Sequence, residues 1–296
     1  MRLNQGYRYR HVLSPDSLGH TALSYLVGAF AHSNQSEWQA RFQAGEILLD
    51  DKLANGSESL QPGKIIVWNR PGWLEEETPQ NYSVVYRDEH LLVVDKPSGL
   101  PTIPGAGFYL NTLLEIVRND FPAARALHRL GRATSGLVLF ALDTHTASAI
   151  QRNWSQIHKQ YQALGGLVAS QDVYDIQTPI GPCDHPRLGK VYAASSTGKC
   201  ARSIARVIQR RLDSTLFEVD LHTGRPHQIR IHLASIGHPL VGDPLYAAGG
   251  QPKLEQPALP GDAGYWLHAK RVILQHPITG QQFDLTSPLP EILRTD

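Results

Sequence analysis

From residue 82 onward the chain is cut into many short β-type runs, and this pattern restricts its fold more than any other feature. SVVYRD, HLLVVDKPSG, GLVLFALD, YQALGGLVA, SIARVIQRR, LFEVDLHT, AKRVILQHP and QQFDLTSP each suit a strand, while NTLLEIVRNDF, HTASAIQRNWSQIH and HQIRIHLASIG suit helices. There is no sustained strand–helix alternation of the kind a doubly wound sheet needs. The pattern therefore predicts an α+β domain around a large mixed or antiparallel sheet. Ahead of it, a helix-like TALSYLVGAFAH precedes two short β-type runs, EILLD and KIIVW, which form a second, smaller α+β unit. PGWLEEETPQNY between them reads as a linker, because two prolines and three consecutive glutamates discourage regular structure. The expected domains are residues 1–78 and 79–296.

With 25 Gly and 20 Pro in 296 residues, the chain stays below the roughly 25–30% that marks disorder. Net charge is +1, so no overall field announces a nucleic-acid partner and any such case rests on local clusters. Cys183 and Cys200 have no C-x-x-C spacing and are too few for a disulfide framework, which points to a reducing, cytoplasmic setting. The N-terminus lacks a signal-peptide apolar run, and no stretch of about 18 apolar residues occurs, so a soluble, unexported protein is expected.

Three segments could carry chemistry. In ALHRLGRATSGLVLFAL, His128, Arg129 and Arg132 crowd one turn ahead of Thr134, Ser135 and an apolar strand, an arrangement suited to phosphate or to a solvated basic turn. In LHTGRPHQIRIHLASIGHPLVGDPLY, Arg225 and Arg230 lie among His222, His227 and His232 at a strand-to-helix junction. Five-residue spacing leaves those histidines about 140° apart on a helix, so they cannot share a face, and no metal site is expected. An anionic backbone suits a basic helix start better. In Lys159-Gln-Tyr161-Gln-Ala, the tyrosine entering a strand can be core packing or can stack on a base. Arg202, Arg206 and Arg210 share parity with Ile204 and Ile208, which suggests an edge strand without a functional role.

The order of these segments is that of a known family. HRLGRATSGLVLFA resembles the "HRLDRxTSGLLLxA" signature of RluA-type RNA pseudouridine synthases, and KQYQA resembles their "KxYxA". TGRPHQIRIHLASIGHPLVGDPLY is similar to "TGRxHQIRxHLxxxGHPIxGDxxY", VVDKPSGLP to their "VVNKPaGlpv" strand and loop, and LHAKRVILQHPITG with DLTSPLP to their closing segment. The resemblance runs from about residue 82 to the C-terminus. The N-terminal unit resembles a degenerate S4-type RNA-binding module, although Arg41 and Lys52 are offset by Glu46, Asp50 and Asp51, and a solvated accessory domain is the other reading.

The resemblance implies a pseudouridine-synthase catalytic domain, isomerisation of uridine in ribosomal or transfer RNA, and no cofactor, metal or obligate protein partner. It implies a flipped base in a pocket, with Arg129, Arg132, Arg225, His128 and His227 toward RNA, Tyr161 against the uracil, and Arg230 pairing the catalytic carboxylate. The family's nucleophilic aspartate follows "HRL", and here that slot is Gly131. Three explanations remain open: another carboxylate, Asp95 or Asp243, enters the space; the chain binds RNA without modifying it; or Gly131 is an altered residue of an ordinary enzyme. Glycine would also permit a reshaped, positive-φ loop.

Overall fold

The computed structural model describes residues 1–30, 32–105, 107–186, 188–255 and 262–295. They divide into two compact units, Met1–Glu76 and Glu77–Asp296. The first contains β1 (Arg2–Leu3), β2 (Tyr7–Val12), α1 (Ala22–Ala29), α2 (Gln35–Gln43), β3 (Ile47–Leu49), β4 (Lys52–Leu53), β5 (Ile65–Arg70) and β6 (Leu74–Glu75). A four-stranded antiparallel sheet runs β2-β5-β3-β4. Each helix starts at a capping box, Thr21 with Ser24 and Asn34 with Glu37, which satisfies backbone donors that have no partner within the helix. Trp38 and Phe42, four residues apart on α2, pack with Leu26, Ile47 and Ile66 in the core of this unit.

The expected linker is partly structured. Its Leu74–Glu75 pairs antiparallel with Arg2–Leu3, and Glu75, almost fully buried, accepts a 2.6 Å hydrogen bond from Asn4 Nδ2. A buried glutamate with a donor costs far less than an unpaired one, so the glutamate run does not force open chain here.

The second unit contains β7 (Ser83–Arg87), β8 (Leu91–Lys96), α3 (Leu113–Asp120), β9 (Arg125–Ala126), β10 (Ser135–Ala141) and α4 (Thr144–Arg152). There follow β11 (His158–Gly166), β12 (Val173–Ile176), β13 (Ile180–His185), β14 (Gly189–Ala194), β15 (Ser203–Arg210) and β16 (Ser214–Leu221). The chain closes with α5 (Gln228–Ser235), β17 (Tyr246–Ala247), β18 (Gln251–Pro252), β19 (Leu267–Gln275) and β20 (Gln282–Thr286). Among the described residues a ten-stranded sheet runs β12-β15-β16-β11-β19-β10-β8-β7, with β20 on β19 and β9 on β10. All its pairs are antiparallel except β10 with β19, so the sheet is mixed and the fold α+β.

Alternation along the strands builds two layers. Leu92, Val94, Val138 and Phe140 pack in one cluster with Leu113 of α3 and Ile229 and Leu233 of α5. Leu91, Val93, Leu137 and Leu139 form another with Ile150 of α4. β10 is buried on both faces, which explains its unbroken apolar run SGLVLFA. β15 is not an edge strand: it lies between β12 and β16, and Arg202, Arg206 and Arg210 pair with Asp175, Asp220 and Asp172.

Candidate active site

Gly136 sets the geometry of the site. Its φ is +105°, and a Cβ there would come within 2.3 Å of the Ala269 carbonyl oxygen, so only glycine lets β10 approach β19 this closely. Ala269 pairs with Gly136 on one side and Tyr161 on the other, which brings the first signature and the KQYQA strand into one row across three strands. Tyr161 lies buried in the main core cluster, and burial pushes its phenol up to about 12. It is therefore a neutral ring at physiological pH.

Arg230, on α5, is fully buried. Its Nε and Nη2 donate to the two carboxylate oxygens of Asp243, each at 2.7 Å. Asp243 Oδ1 also accepts from the backbone N–H groups of Leu245 and Tyr246 at 2.8 and 3.1 Å. The guanidinium stands 4.9 Å from the Tyr246 ring and 4.3 Å from the Tyr265 ring. Two aromatic faces and a bidentate carboxylate supply what a buried guanidinium needs, and the pairing raises its already high pKa.

Gly131 is exposed and is not in the left-handed region, so the positive φ that glycine would permit is not used there. The reason for a glycine is steric. A Cβ on Gly131 would stand 2.6 Å from the Tyr265 hydroxyl oxygen and 3.4 Å from Thr134 Oγ1. Tyr265 is buried and its hydroxyl is 3.3 Å from Thr134 Oγ1. One tyrosine thus has its hydroxyl at the Gly131 slot and its ring face on Arg230.

The two candidate carboxylates have different places. Asp243 is the partner of Arg230. Asp95 follows Leu91 and Val93 in the alternation of β8 and so projects on the sheet face opposite α5. It lines a cavity of about 310 Å³ with Ser98, Ser135 and His268, and Tyr265, from the core cluster on the α5 side, lines the same cavity.

The residues expected to face RNA also separate. Arg129 is exposed. Arg132 donates through Nε to the Gly99 carbonyl at 3.1 Å and covers Phe108, and Arg225 donates to the Cys200 carbonyl at 3.0 Å. The two histidines need correction. His128 turns inward: Nε2 accepts the Leu139 amide at 3.1 Å, the ring faces Trp154, and burial lowers its pKa to about 4. His227 caps α5 at φ +55° with Nδ1 2.7 Å from the Tyr246 hydroxyl. Because that hydroxyl donates to the Tyr192 carbonyl, it accepts from His227 Nδ1–H. Burial, then Arg230, hold the His227 pKa at about 4. Neither is a cation for phosphate near neutral pH.

Three groups escaped the sequence reading: Tyr265, Tyr246 and Lys96. Tyr246 ends the quoted GDPLY segment and Lys96 sits in VVDKPSG, whereas Tyr265 lies just before LHAKRV, its only signal being an aromatic pair ahead of a strand. Lys96 is buried and donates to the carbonyls of Pro97, Leu100 and Arg132 at 2.9, 2.7 and 3.3 Å. It thereby ties the loop after β8 to the loop carrying Gly131.

Known proteins fit this arrangement. The family described as RNA pseudouridylate synthase matches residues 90–235. An uncharacterised RNA pseudouridine synthase of Synechocystis is 40% identical over 277 residues, covering 92% of this chain and 95% of that protein. The chain belongs to the RluA-type RNA pseudouridine synthase family. RNA pseudouridine synthase 5 of Arabidopsis thaliana is 34% identical, covering 99% of this chain and 95% of the relative. Ribosomal large subunit pseudouridine synthase D of Xanthomonas campestris is also 34% identical, covering 96% and 90%. The solved human RNA pseudouridylate synthase domain containing 1 shares the fold, with a TM-score of 0.57 and 24% identity over 75% of this chain and 89% of that one. As a member of this family the synthase is an isomerase. Among the described residues of this synthase, no helix is long and apolar enough to cross a membrane.

Proposed function

We propose that this synthase isomerises a uridine of folded ribosomal or transfer RNA to pseudouridine, and that the base is flipped in toward Tyr161, Gly131 and Arg230. The reading is carried by the buried, bidentate Arg230–Asp243 pair set against Tyr246 and Tyr265, the latter reaching the Gly131 slot with its hydroxyl. Burying such a pair is costly unless every hydrogen bond is made, and a guanidinium held so firmly suits the negative charge that a detached uracil would acquire. Tyr161, neutral and apolar-faced, stacks on the flipped ring. Arg129, Arg132 and Arg225 contact the backbone of the RNA. In the reaction the C1′–N1 bond breaks, the uracil turns, C1′–C5 forms, and the C5 hydrogen is exchanged for one on N1. The N-terminal unit is read as an S4-like accessory RNA contact, in support of which β2 alternates exposed Tyr7 and Tyr9 with Arg8 and Arg10.

One observation favours a second reading, in which the chain binds RNA without modifying it. Asp243 already accepts four hydrogen bonds and is closed off from solvent, and the atoms nearest a Cβ at residue 131 belong to Tyr265 and Thr134 and not to Asp95. Neither presents a carboxylate at the Gly131 slot. Comparing pseudouridine positions in RNA from cells with and without the gene separates the readings. Positions that vanish with the gene and return when purified protein is added establish isomerisation; an unchanged map overturns it, and retention of RNA by the purified protein on a filter then tests the second reading.

A further inference from the structure

We infer that Tyr265 is the catalytic nucleophile of this chain, its hydroxyl standing in for the carboxylate that Gly131 lacks; the inference rests on the isomerase reading above. A carboxylate oxygen lies about 2.4 Å from its own Cβ by ordinary bond lengths. The Tyr265 hydroxyl oxygen lies 2.6 Å from the point where a Cβ of residue 131 would stand. An oxygen is therefore supplied at a similar distance from the Cβ position of residue 131, delivered from the approach to β19 and not from the signature loop. The glycine and the tyrosine are one substitution in two parts, because any side chain at 131 would collide with that hydroxyl.

The surroundings suit the role. The ring face carries the Arg230 guanidinium at 4.3 Å, a cation placed to stabilise negative charge as the phenol ionises. Thr134 Oγ1, 3.3 Å away, fixes where the hydroxyl points. Tyr265 lines a cavity of about 310 Å³, so it borders open space as well as core. Tyrosine oxygen is a known type of nucleophile at glycosidic carbon.

The chemistry balances without a co-reactant. The phenol oxygen bonds to C1′ as C1′–N1 breaks; the bonding pair leaves with uracil, and the phenol proton passes to it. The uracil turns, and C5 bonds to C1′ while C1′–O breaks and its electron pair returns to the phenolate. The C5 hydrogen then restores the phenol, and the proton given earlier to uracil remains as N1–H of pseudouridine.

The experiment uses the full chain and a transcript carrying a uridine mapped by comparing RNA from cells with and without the gene. Tyr265→Phe keeps the ring on Arg230 and removes only the oxygen. Its expected result is a loss of pseudouridine formation on the order of 10⁴-fold with RNA affinity unchanged. On wild-type protein, a denaturant-resistant adduct with end-labelled transcript should map by mass spectrometry to Tyr265. Formation of pseudouridine by Tyr265→Phe within a few-fold of wild type, or an adduct at another residue, overturns the proposal. The adduct measurement needs no variant and so covers the case in which Tyr265→Phe misfolds. If the wild-type chain forms no pseudouridine in any RNA, the isomerase reading itself has failed, and the proposal with it, an outcome distinct from an active Tyr265→Phe.

Discussion

Arg230 and Asp243 meet through two parallel 2.7 Å hydrogen bonds with both side chains almost wholly removed from solvent. Thirteen residues of chain, α5 and the turn after it, separate them, so the pair also fixes how the helix returns toward the sheet. Removing one partner leaves the other charge buried and alone. Asp243→Leu or Arg230→Met alone is expected to lower stability by about 3–5 kcal/mol, whereas the double change should cost less than either. Urea unfolding of the three variants checks the order.

The collision at residue 131 gives a second expectation. Gly131→Asp must displace the Tyr265 hydroxyl and should destabilise by about 1–3 kcal/mol. Adding Tyr265→Phe takes away the oxygen and leaves the next ring carbon at 4.0 Å, so the double variant should recover much of that loss. Thermal midpoints of the single and double variants decide it, and non-additivity is the signature sought.

Contacts with phosphate are expected from Arg129, Arg132 and Arg225 and not from His128. Alanine at each arginine should reduce the slope of log affinity against log salt by about 0.7–0.9. His128→Ala should leave the slope as it was near pH 7, because the ring is neutral and bonded to the Leu139 amide. Filter binding across a salt series distinguishes the two behaviours.

Burial holds the imidazoles of His128, His227 and His232 at about 4, below the ordinary 6.5. Between those values the unfolded chain takes up protons that the folded chain refuses. Stability from these groups is therefore complete above about pH 6.5 and is lost as pH falls toward 4. Denaturant midpoints measured from pH 7 to 4.5 should decline, and His232→Gln, which removes one titrating group, should flatten the decline.

Lys96 joins two loops, so its loss should loosen both. Lys96→Met keeps the aliphatic stem and strips the donor from the Pro97, Leu100 and Arg132 carbonyls. A loss of about 1–3 kcal/mol is expected. Hydrogen exchange should accelerate together in residues 97–100 and 130–134, and an effect confined to the first loop would count against the link.

Periodicity carried the large sheet because β10 and the Leu91–Val94 part of β8 are buried on both faces and read as apolar runs. β2 was illegible for the opposite reason: its Tyr and Arg side chains are nearly all exposed, and only pairing with β5 makes it a strand. β13 and β14, with Gly181, Pro182 and Asp184, carry turn-forming residues inside a ladder and gave no strand signal. The ordered motifs drew attention to Arg230, Asp243 and Tyr161, of which the first two form a buried ion pair. They misdirected His128 and His227, since residue type announces a possible charge but only burial says whether it is held. Tyr265 was beyond reach for a further reason. It lies 134 residues from Gly131, and the relation between them is a steric one that no local pattern records.

The pairing of β1 with β6 sets the start and the finish of the N-terminal unit side by side, Arg2 against Glu75 and Leu3 against Leu74. A module whose two ends meet is a closed loop on a single stem. Opening that stem would release both ends of the unit together, and closing it holds both in place at once.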